Sequence, residues 1–243
     1  MEKPWFKSWF GETYKRLYPH RDRRQAAVQA RAVLNMLPVT PQWRILDIGC
    51  GAGRHLSALS GGGSVLSAGL DLSLPLLRDA RAHGLAVVRA DMRRLPFRAA
   101  GFDLVTCFFT SFGYFATFEE DVEALAGFVS LLKPSGYLFL DLINKGHLVK
   151  HLIPHDLKTV DGAEVEQRRR LEGDVVVKEI EVRRPGCAVE RFEERVRLYR
   201  PEEILSLAGR LFLRHVGGFG DEEGGAYHPE TSPRMSLLFQ LGG

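Results

Sequence analysis

The sequence has few of the features that would assign it to a membrane, to an oxidising compartment or to a metal site. Its three cysteines, Cys50, Cys107 and Cys187, are far apart, and no C-x-x-C pair occurs among its 243 residues. This pattern predicts neither a disulfide framework nor a zinc site. We expect the cysteines to be small core residues of a protein in the reducing cytoplasm.

Long apolar runs are also missing. No run approaches the about 18 apolar residues of a membrane-spanning helix, and charges are scattered through residues 1–24. We therefore expect neither a membrane span nor a cleaved secretory signal. The net charge of +3 is small, so charge alone does not indicate a nucleic-acid partner. With 45% hydrophobic and 26% charged residues, the composition is that of an ordinary globular protein.

What the sequence does contain is a regular alternation of strand and helix patterns between residues 44 and 142. The predicted strands cover residues 44–48, 65–70, 86–90, 102–108 and 137–142, and the predicted helices cover residues 54–59, 74–82 and 119–132. Near-continuous apolar strands separated by helices are typical of a parallel sheet with helices on both faces.

Different patterns flank this α/β region. Two helical segments, residues 4–17 and 21–37, precede it, and three charged, β-rich segments follow at residues 163–171, 175–183 and 188–198. A helix from Pro201 and strands at residues 211–216 and 235–241 end the chain. We predict an N-terminal helical cap or lid (residues 1–40), a core (41–150 and 199–243) and an inserted antiparallel β flap (151–198).

Three glycines stand between the first predicted strand and the first helix of this core. The segment "RILDIGCGAG" places Gly49, Gly51 and Gly53 where a ligand could contact bare backbone and helix N–H groups. Asp71 follows Gly51 by about 20 residues, at the end of the next strand, which is the spacing of ribose-binding acids. A carboxylate there can accept hydrogen bonds from both ribose hydroxyls, so a nucleotide-type ligand is expected.

The spacing of the glycines indicates which nucleotide. Dinucleotide sites use G-x-G-x-x-G, whereas this chain has G-x-G-x-G followed by Arg54. Asp47, just before the first glycine, would repel a pyrophosphate but could orient a cationic group, either directly or through the loop. The pattern therefore favours an adenosine joined to an amino-acid-like group and disfavours an NAD or nucleotide-sugar enzyme.

Four segments in register resemble the class I S-adenosylmethionine-dependent methyltransferases: "ILDIGCGAG", Asp71, "RADMRRLPF", and "FDLVTCFFTSFGYF" with "LKPSGYLFLDL". The last departs slightly from the usual "LKPGG". The resemblance implies an α/β fold with a doubly wound, seven-stranded, mostly parallel sheet and an antiparallel last strand. It implies S-adenosylmethionine as cofactor, with Asp71 on the ribose, Asp91 and Met92 at the adenine, and the backbone at Phe108 on the methionine amine.

The residues assigned to cofactor binding by this resemblance are Asp47, Gly49, Cys50, Gly51, Gly53, Asp71, Leu72, Asp91, Met92 and Phe108, with Tyr14 and Arg21 from the N-terminal lid. His55, just after the glycines, is expected to be a solvated helix residue. No metal is expected.

Within the family, "CFFTSFGYF" is similar to a segment of small-molecule N-methyltransferases, and the D/N-P-P-Y/F tetrapeptide of many base-amino methylases is absent. We therefore predict an enzyme that methylates nitrogen or oxygen of a small-molecule acceptor, as a monomer or homodimer, with Tyr14, His20 and Tyr114 as catalytic candidates. Two alternatives stay open. One is an RNA methyltransferase that uses residues 21–24 and 168–170 as a phosphate track; the other is a non-catalytic S-adenosylmethionine-binding protein.

Overall fold

The computed structural model describes residues 4–18, 23–61 and 66–242. In chain order its elements are α1 (Phe6–Trp9), α2 (Glu12–Leu17), α3 (Arg23–Asn35), β1 (Arg44–Ile48), α4 (Arg54–Leu59), β2 (Leu66–Asp71), α5 (Leu74–Ala82), β3 (Val87–Arg89), β4 (Phe102–Cys107), α6 (Phe118–Ser130), β5 (Leu132–Ile143), α7 (Lys145–His151), β6 (His155–Val160), β7 (Ala163–Glu172), β8 (Val175–Arg183), β9 (Glu190–Arg197), α8 (Pro201–Arg210), β10 (Leu213–Phe219) and β11 (Arg234–Leu241). In this part of the chain no helix has the length and hydrophobicity needed to cross a membrane.

The larger sheet has seven strands in the order β10-β11-β5-β4-β1-β2-β3. Strands β1 to β5 pair with one another in parallel, and β11 is antiparallel to both β5 and β10. The predicted fold class, a mostly parallel seven-stranded sheet with an antiparallel last strand, is confirmed. The parallel strands place the residues that follow β1, β2 and β4 at one edge of the sheet, where ligands bind in open α/β folds.

Both faces of this sheet are covered because successive side chains of β5 point to opposite sides. Leu138 and Leu140 belong to the apolar cluster that contains Phe128 of α6. Phe139, between them, joins the cluster that contains Val33 of α3. The near-continuous apolar pattern of the central strands follows from this double burial.

The second sheet is antiparallel, with the strand order β6-β7-β8-β9. The sequence predicts its last three strands but not β6, whose side chains alternate between exposed and half-buried positions at the sheet edge. Helices α1 and α2 pack on its apolar face, where Trp9 and Leu17 contact a cluster with Val165 and Ile180. The single N-terminal helix predicted for residues 4–17 is therefore two short helices, which break at Phe10 and Gly11.

These two helices connect the flap sheet to the core. Thr13 donates to Glu190 of β9 at 2.7 Å, and the Ser73 hydroxyl at the start of α5 donates to the carbonyl oxygen of Phe10 at 2.5 Å. Lys15 lies 2.8 Å from a carboxylate oxygen of Asp79 on α5. The N-terminal segment thus lies across the carboxyl edge of the parallel sheet.

Candidate active site

A cavity of about 700 Å³ lies at this edge. Its volume falls in the range of about 300–1,000 Å³ that is common for small-molecule sites. Its walls are the loop after β1, the start of α5, the loop after β4, the N-terminal helices and part of β9. Predicted site residues on the wall are Tyr14, Gly49, Cys50, Gly51, Asp71, Leu72, Asp91, Met92, Phe108 and Tyr114.

The three glycines of the loop after β1 all have positive φ angles, which favour glycine. A Cβ atom added to Gly49 would lie only 2.6 Å from the Cβ of Ser111. A Cβ atom added to Gly53 would lie only 2.3 Å from Cδ1 of Leu85. Gly51, which lines the cavity as Gly49 does, differs because an added Cβ would meet only Leu76 at 3.7 Å. Two glycines therefore permit close packing, and Gly51 presents bare backbone to a ligand.

Asp71 ends β2 beside this loop. Its Oδ2 atom accepts the backbone N–H of Gly51 at 2.8 Å, and its Oδ1 atom accepts that of Ser73 at 2.8 Å. Burial raises the pKa of Asp71, while these backbone N–H groups oppose the rise. A carboxylate has about four acceptor positions, so two stay available for the two hydroxyls of a ribose. The residues present fit the adenosine of S-adenosylmethionine, although Asp71 on the ribose stays a prediction.

Asp47 lies behind the loop, fully buried, and within the described part of the chain it is not among the residues on the cavity wall. Its Oδ1 atom accepts the Thr106 hydroxyl at 2.9 Å, and burial raises the pKa of Asp47 to about 7. This position favours a role for Asp47 in holding the loop after β1 over direct contact with a ligand.

Cys50 and Cys107 are buried, but Cys187 is exposed, so the prediction of three core cysteines is wrong for Cys187, which follows a turn between β8 and β9.

Asp91, which the resemblance places at the adenine, lines the cavity beside Met92. Its carboxylate is held by Arg93, with Nη2–Oδ2 at 2.8 Å and Nε–Oδ1 at 3.1 Å. Burial alone would raise the pKa of Asp91, but the bonds from Arg93 hold it below its usual value. An adenine amino group would therefore share an ionised carboxylate with Arg93.

Phe108 follows β4 and is packed between two rings. His55 stacks parallel on it with centroids 4.2 Å apart, and Phe139 lies 4.9 Å away. The prediction of a solvated His55 is wrong, since Nε2 of this buried ring is 2.9 Å from Oε1 of Gln29 on α3. Burial, aided by the nearby Arg54, lowers the pKa of His55 to about 3, so it is neutral. The Phe108 carbonyl accepts two bonds from Ser111, through its backbone N–H at 3.3 Å and its hydroxyl at 3.0 Å.

Sequence reasoning missed a buried polar cluster next to this loop. Asp141, near the end of β5, is 0% exposed and accepts the guanidinium of Arg234 at 2.9 Å, the amide of Gln29 at 3.0 Å and the hydroxyl of Ser236 at 3.0 Å. It also accepts the backbone N–H of Phe109 at 2.8 Å. The signal was available, because an aspartate inside the apolar run "YLFLDLI" requires partners if it is buried.

Part of the cavity wall is aromatic. Tyr114 lies 4.8 Å from Trp5 and is stacked on Phe10 at 6.0 Å, and Tyr14 lies 4.9 Å from Phe10 (ring centroids). A carboxylate, that of Glu194 on β9, also reaches the wall. The two remaining predicted residues, His20 and Arg21, lie outside the described residues. Among the residues described, no cluster of His, Cys, Asp and Glu could hold a metal ion.

Comparison with known proteins gives matches over the same region. Residues 45–136 match the family model described as a methyltransferase domain. A protein of Bos taurus named probable tRNA methyltransferase 9B is 30% identical over 132 residues, which are 53% of this chain and 28% of that protein. The chain therefore spans less than a third of the length of that relative.

Two solved structures match nearly the whole chain. A S-adenosylmethionine-dependent methyltransferase from Clostridium acetobutylicum has a TM-score of 0.77 at 22% identity and covers 95% of this chain and 97% of its own. An amino pentose methyltransferase from Micromonospora echinaspora, solved with S-adenosylmethionine bound, has a TM-score of 0.68 at 23% identity and covers 94% and 96%. At these identities the two structures show a shared fold.

The domain match and the cavity coincide in the chain. The glycine loop, Asp71, Asp91 and the loop after β4 all fall within residues 45–136 and all line one cavity at the edge of the expected sheet. Residues 45–136 therefore carry a methyltransferase domain, and the chain has the fold of S-adenosylmethionine-dependent methyltransferases.

Proposed function

We propose that this chain transfers the methyl group of S-adenosylmethionine to a nitrogen or oxygen atom of a small-molecule acceptor. The observation that carries the proposal is the composition of the cavity wall. The wall combines Gly51 and Asp71 with aromatic side chains of the N-terminal segment and of the loop after β4. A cavity of about 700 Å³ with an aromatic wall suits a molecule of metabolite size.

The aromatic wall also suits the charge of the reaction partners. A sulfonium or ammonium group near an aromatic face gains about 0.5–2 kcal/mol. Trp5, Phe10 and Tyr114 contribute rings to the cavity wall, and Glu194 adds one carboxylate. The likeness in fold to an amino pentose methyltransferase supports the same class of acceptor.

An RNA acceptor is the second candidate, and the match to a protein named probable tRNA methyltransferase 9B favours it. The arginines of β7 argue against it. Arg168 pairs with Glu166, and Arg170 lies 2.9 Å from Glu172 and 2.6 Å from Glu179. Acidic partners reduce the positive charge that these side chains would offer to phosphates.

The chain's own residues act in this proposal mainly by positioning. The cofactor supplies an activated methyl group on a sulfonium whose departure leaves a neutral thioether. The glycine loop and Asp71 would hold the adenosine, and the aromatic wall would hold the acceptor in line and exclude water. Alignment of this kind can supply up to about 7–11 kcal/mol of the barrier.

A protonated amine must lose a proton before its lone pair can attack the methyl group, and groups on the cavity wall can receive that proton. Tyr14, Tyr114 and Glu194 line the cavity. The Glu194 carboxylate is oriented by the indole N–H of Trp9 and lies 3.3 Å from Lys178. Tyr14 and Tyr114 remain catalytic candidates, as does His20, which lies outside the described residues, and Glu194 joins them.

The proposal also assigns roles to the predicted N-terminal segment and to the predicted flap. Within residues 1–40, the segment that contains α1 and α2 acts as a lid over the cofactor, because it places Phe6, Phe10 and Tyr14 on the cavity wall, whereas α3 is packed in the core. The flap of residues 151–198 shapes the acceptor side through Glu194 and Val196. The chain works as a monomer or homodimer, with no metal.

The experiment that tests the proposal is a methyl-transfer screen with labelled S-adenosylmethionine. Amines, amino sugars, phenols and carboxylic acids are presented separately, and bulk tRNA is presented at low and high salt. Turnover with an amine or phenol supports the proposal. Turnover confined to tRNA, falling steeply with salt, supports the RNA candidate. Tight cofactor binding without turnover on any acceptor supports a non-catalytic binding protein.

A further inference from the structure

The loop after β4 contains two adjacent residues in the left-handed region, where side chains other than glycine are rarely found. Phe109 has φ 54° and Thr110 has φ 58°. A β-branched residue in this region is an outlier, and such strain persists only when the surroundings enforce it. The strained pair lines the cavity and is followed by Ser111, which packs against Gly49 of the glycine loop.

The groups that enforce the turn converge on Asp141. Its Oδ2 atom accepts the Phe109 N–H at 2.8 Å, and its backbone carbonyl accepts the Thr110 N–H at 2.8 Å. Arg234 bridges the two elements, since Nε donates to Oδ1 of Asp141 at 2.9 Å and Nη2 donates to the Thr110 hydroxyl at 2.8 Å. Both backbone N–H groups of the turn are thereby fixed.

The same cluster is shielded from water. The side chain of Asp141 is 0% exposed and that of Arg234 is 13% exposed. On one side, two guanidinium groups approach the Phe109 ring centroid, that of Arg54 at 5.4 Å and that of Arg234 at 5.5 Å. On the other side, Gln29 of α3 donates to Asp141 at 3.0 Å. The turn is thus held from α3, α4, β5 and β11 together.

We propose that Asp141 and Arg234 are positioning residues that hold the strained Phe109–Thr110 turn against the glycine loop, and so fix one wall of the cofactor cavity before S-adenosylmethionine binds. Strain at this turn lowers stability and is retained because the wall must not relax. Asp141 acts entirely through other groups. The inference rests on the cofactor site of the proposed function but not on the identity of the acceptor.

The informative variant is Thr110→Gly, because Asp141→Asn would leave a buried guanidinium without its countercharge and can unfold the chain. Glycine relieves the strain and removes the acceptor of the Arg234 bond, so the turn becomes free to move. We expect a folded variant with an S-adenosylmethionine Kd at least ~10-fold weaker. Hydrogen exchange at the Phe109 amide should become faster.

Two further variants complete the test. Ala100→Gly relieves a left-handed residue, φ 51°, on the exposed turn before β4, and should leave the Kd unchanged. Thr110→Asn keeps an oxygen acceptor and a side chain that tolerates the left-handed region, so it should restore most of the affinity.

Two results would overturn the proposal. These are an unchanged Kd in Thr110→Gly and an Asn variant as weak as the Gly variant. Calorimetry with S-adenosylmethionine needs no acceptor. A wild-type chain that fails to bind the cofactor overturns the proposed function as well, whereas tight wild-type binding with equal variants overturns only the positioning role.

Discussion

Asp71→Asn is the perturbation that separates a ribose-binding carboxylate from a loop-holding one. The asparagine keeps the shape and one oxygen, which can still accept either the Gly51 or the Ser73 N–H, each at 2.8 Å in the wild type. It loses the charge and the second oxygen. Two charge-assisted bonds to ribose hydroxyls contribute about 1.5–3 kcal/mol each, and a neutral bond about 0.5–1.5 kcal/mol.

The expected loss of cofactor affinity is therefore about 2–5 kcal/mol, or roughly 30- to 4,000-fold in Kd. Isothermal titration calorimetry with S-adenosylmethionine measures it. Asp103→Asn is the matched control. Asp103 also accepts a backbone N–H, from Arg44 at 2.8 Å, and pairs with Lys133 at 2.7 Å, but it does not line the cavity. Equal affinities for the wild type and both variants would refute the ribose assignment.

Three other perturbations test separate parts of the account. Gly51→Val should abolish S-adenosylmethionine binding, because a branched side chain blocks access to the backbone and is strained at the φ angle of 54°. As a control, Gly173→Ala places a side chain at a φ angle of 59° on a flap turn and should leave the Kd unchanged. Deletion of residues 1–17 should raise the cofactor off-rate in stopped-flow measurements if they form a lid; an identical off-rate would contradict this. The pKa of His55 is lowered from 6.5 to about 3, so His55 contributes stability above about pH 6.5 that is lost as pH falls towards 3. The free energy of unfolding in urea should therefore fall more between pH 7 and pH 5 in the wild type than in His55→Gln.

Much of the core was predictable because its helix ends and strand patterns depend on residues that are close together in the sequence. The helix 74–82 was predicted at the bounds it has, since Ser73 is its N-cap and accepts the Leu76 N–H. The helix near residue 119 begins as expected at Thr117, which forms a capping box with Glu120. The parallel sheet was predicted because its strands are buried on both faces and therefore appear in the sequence as continuous apolar runs.

What could not be predicted depends on contacts between distant segments. The environment of His55 is set by Gln29 from α3 and Phe108 from the loop after β4, and neither is visible in the residues around it. The Asp141 cluster joins residues from three further elements. Strand β6 was missed because a half-exposed edge strand has a weak apolar pattern. Glu194 was missed because nothing in the sequence distinguishes it from the other charged residues of the solvent-exposed flap strands.

The central claim is that the cavity beside Gly51 binds an adenosine whose ribose is held by Asp71. A crystal structure with S-adenosylhomocysteine tests it most directly. The account predicts both ribose hydroxyls within hydrogen-bond distance of the Asp71 carboxylate and the thioether directed towards the aromatic wall. A cavity that stays empty at saturating ligand, or an adenosine bound elsewhere on the chain, would contradict it.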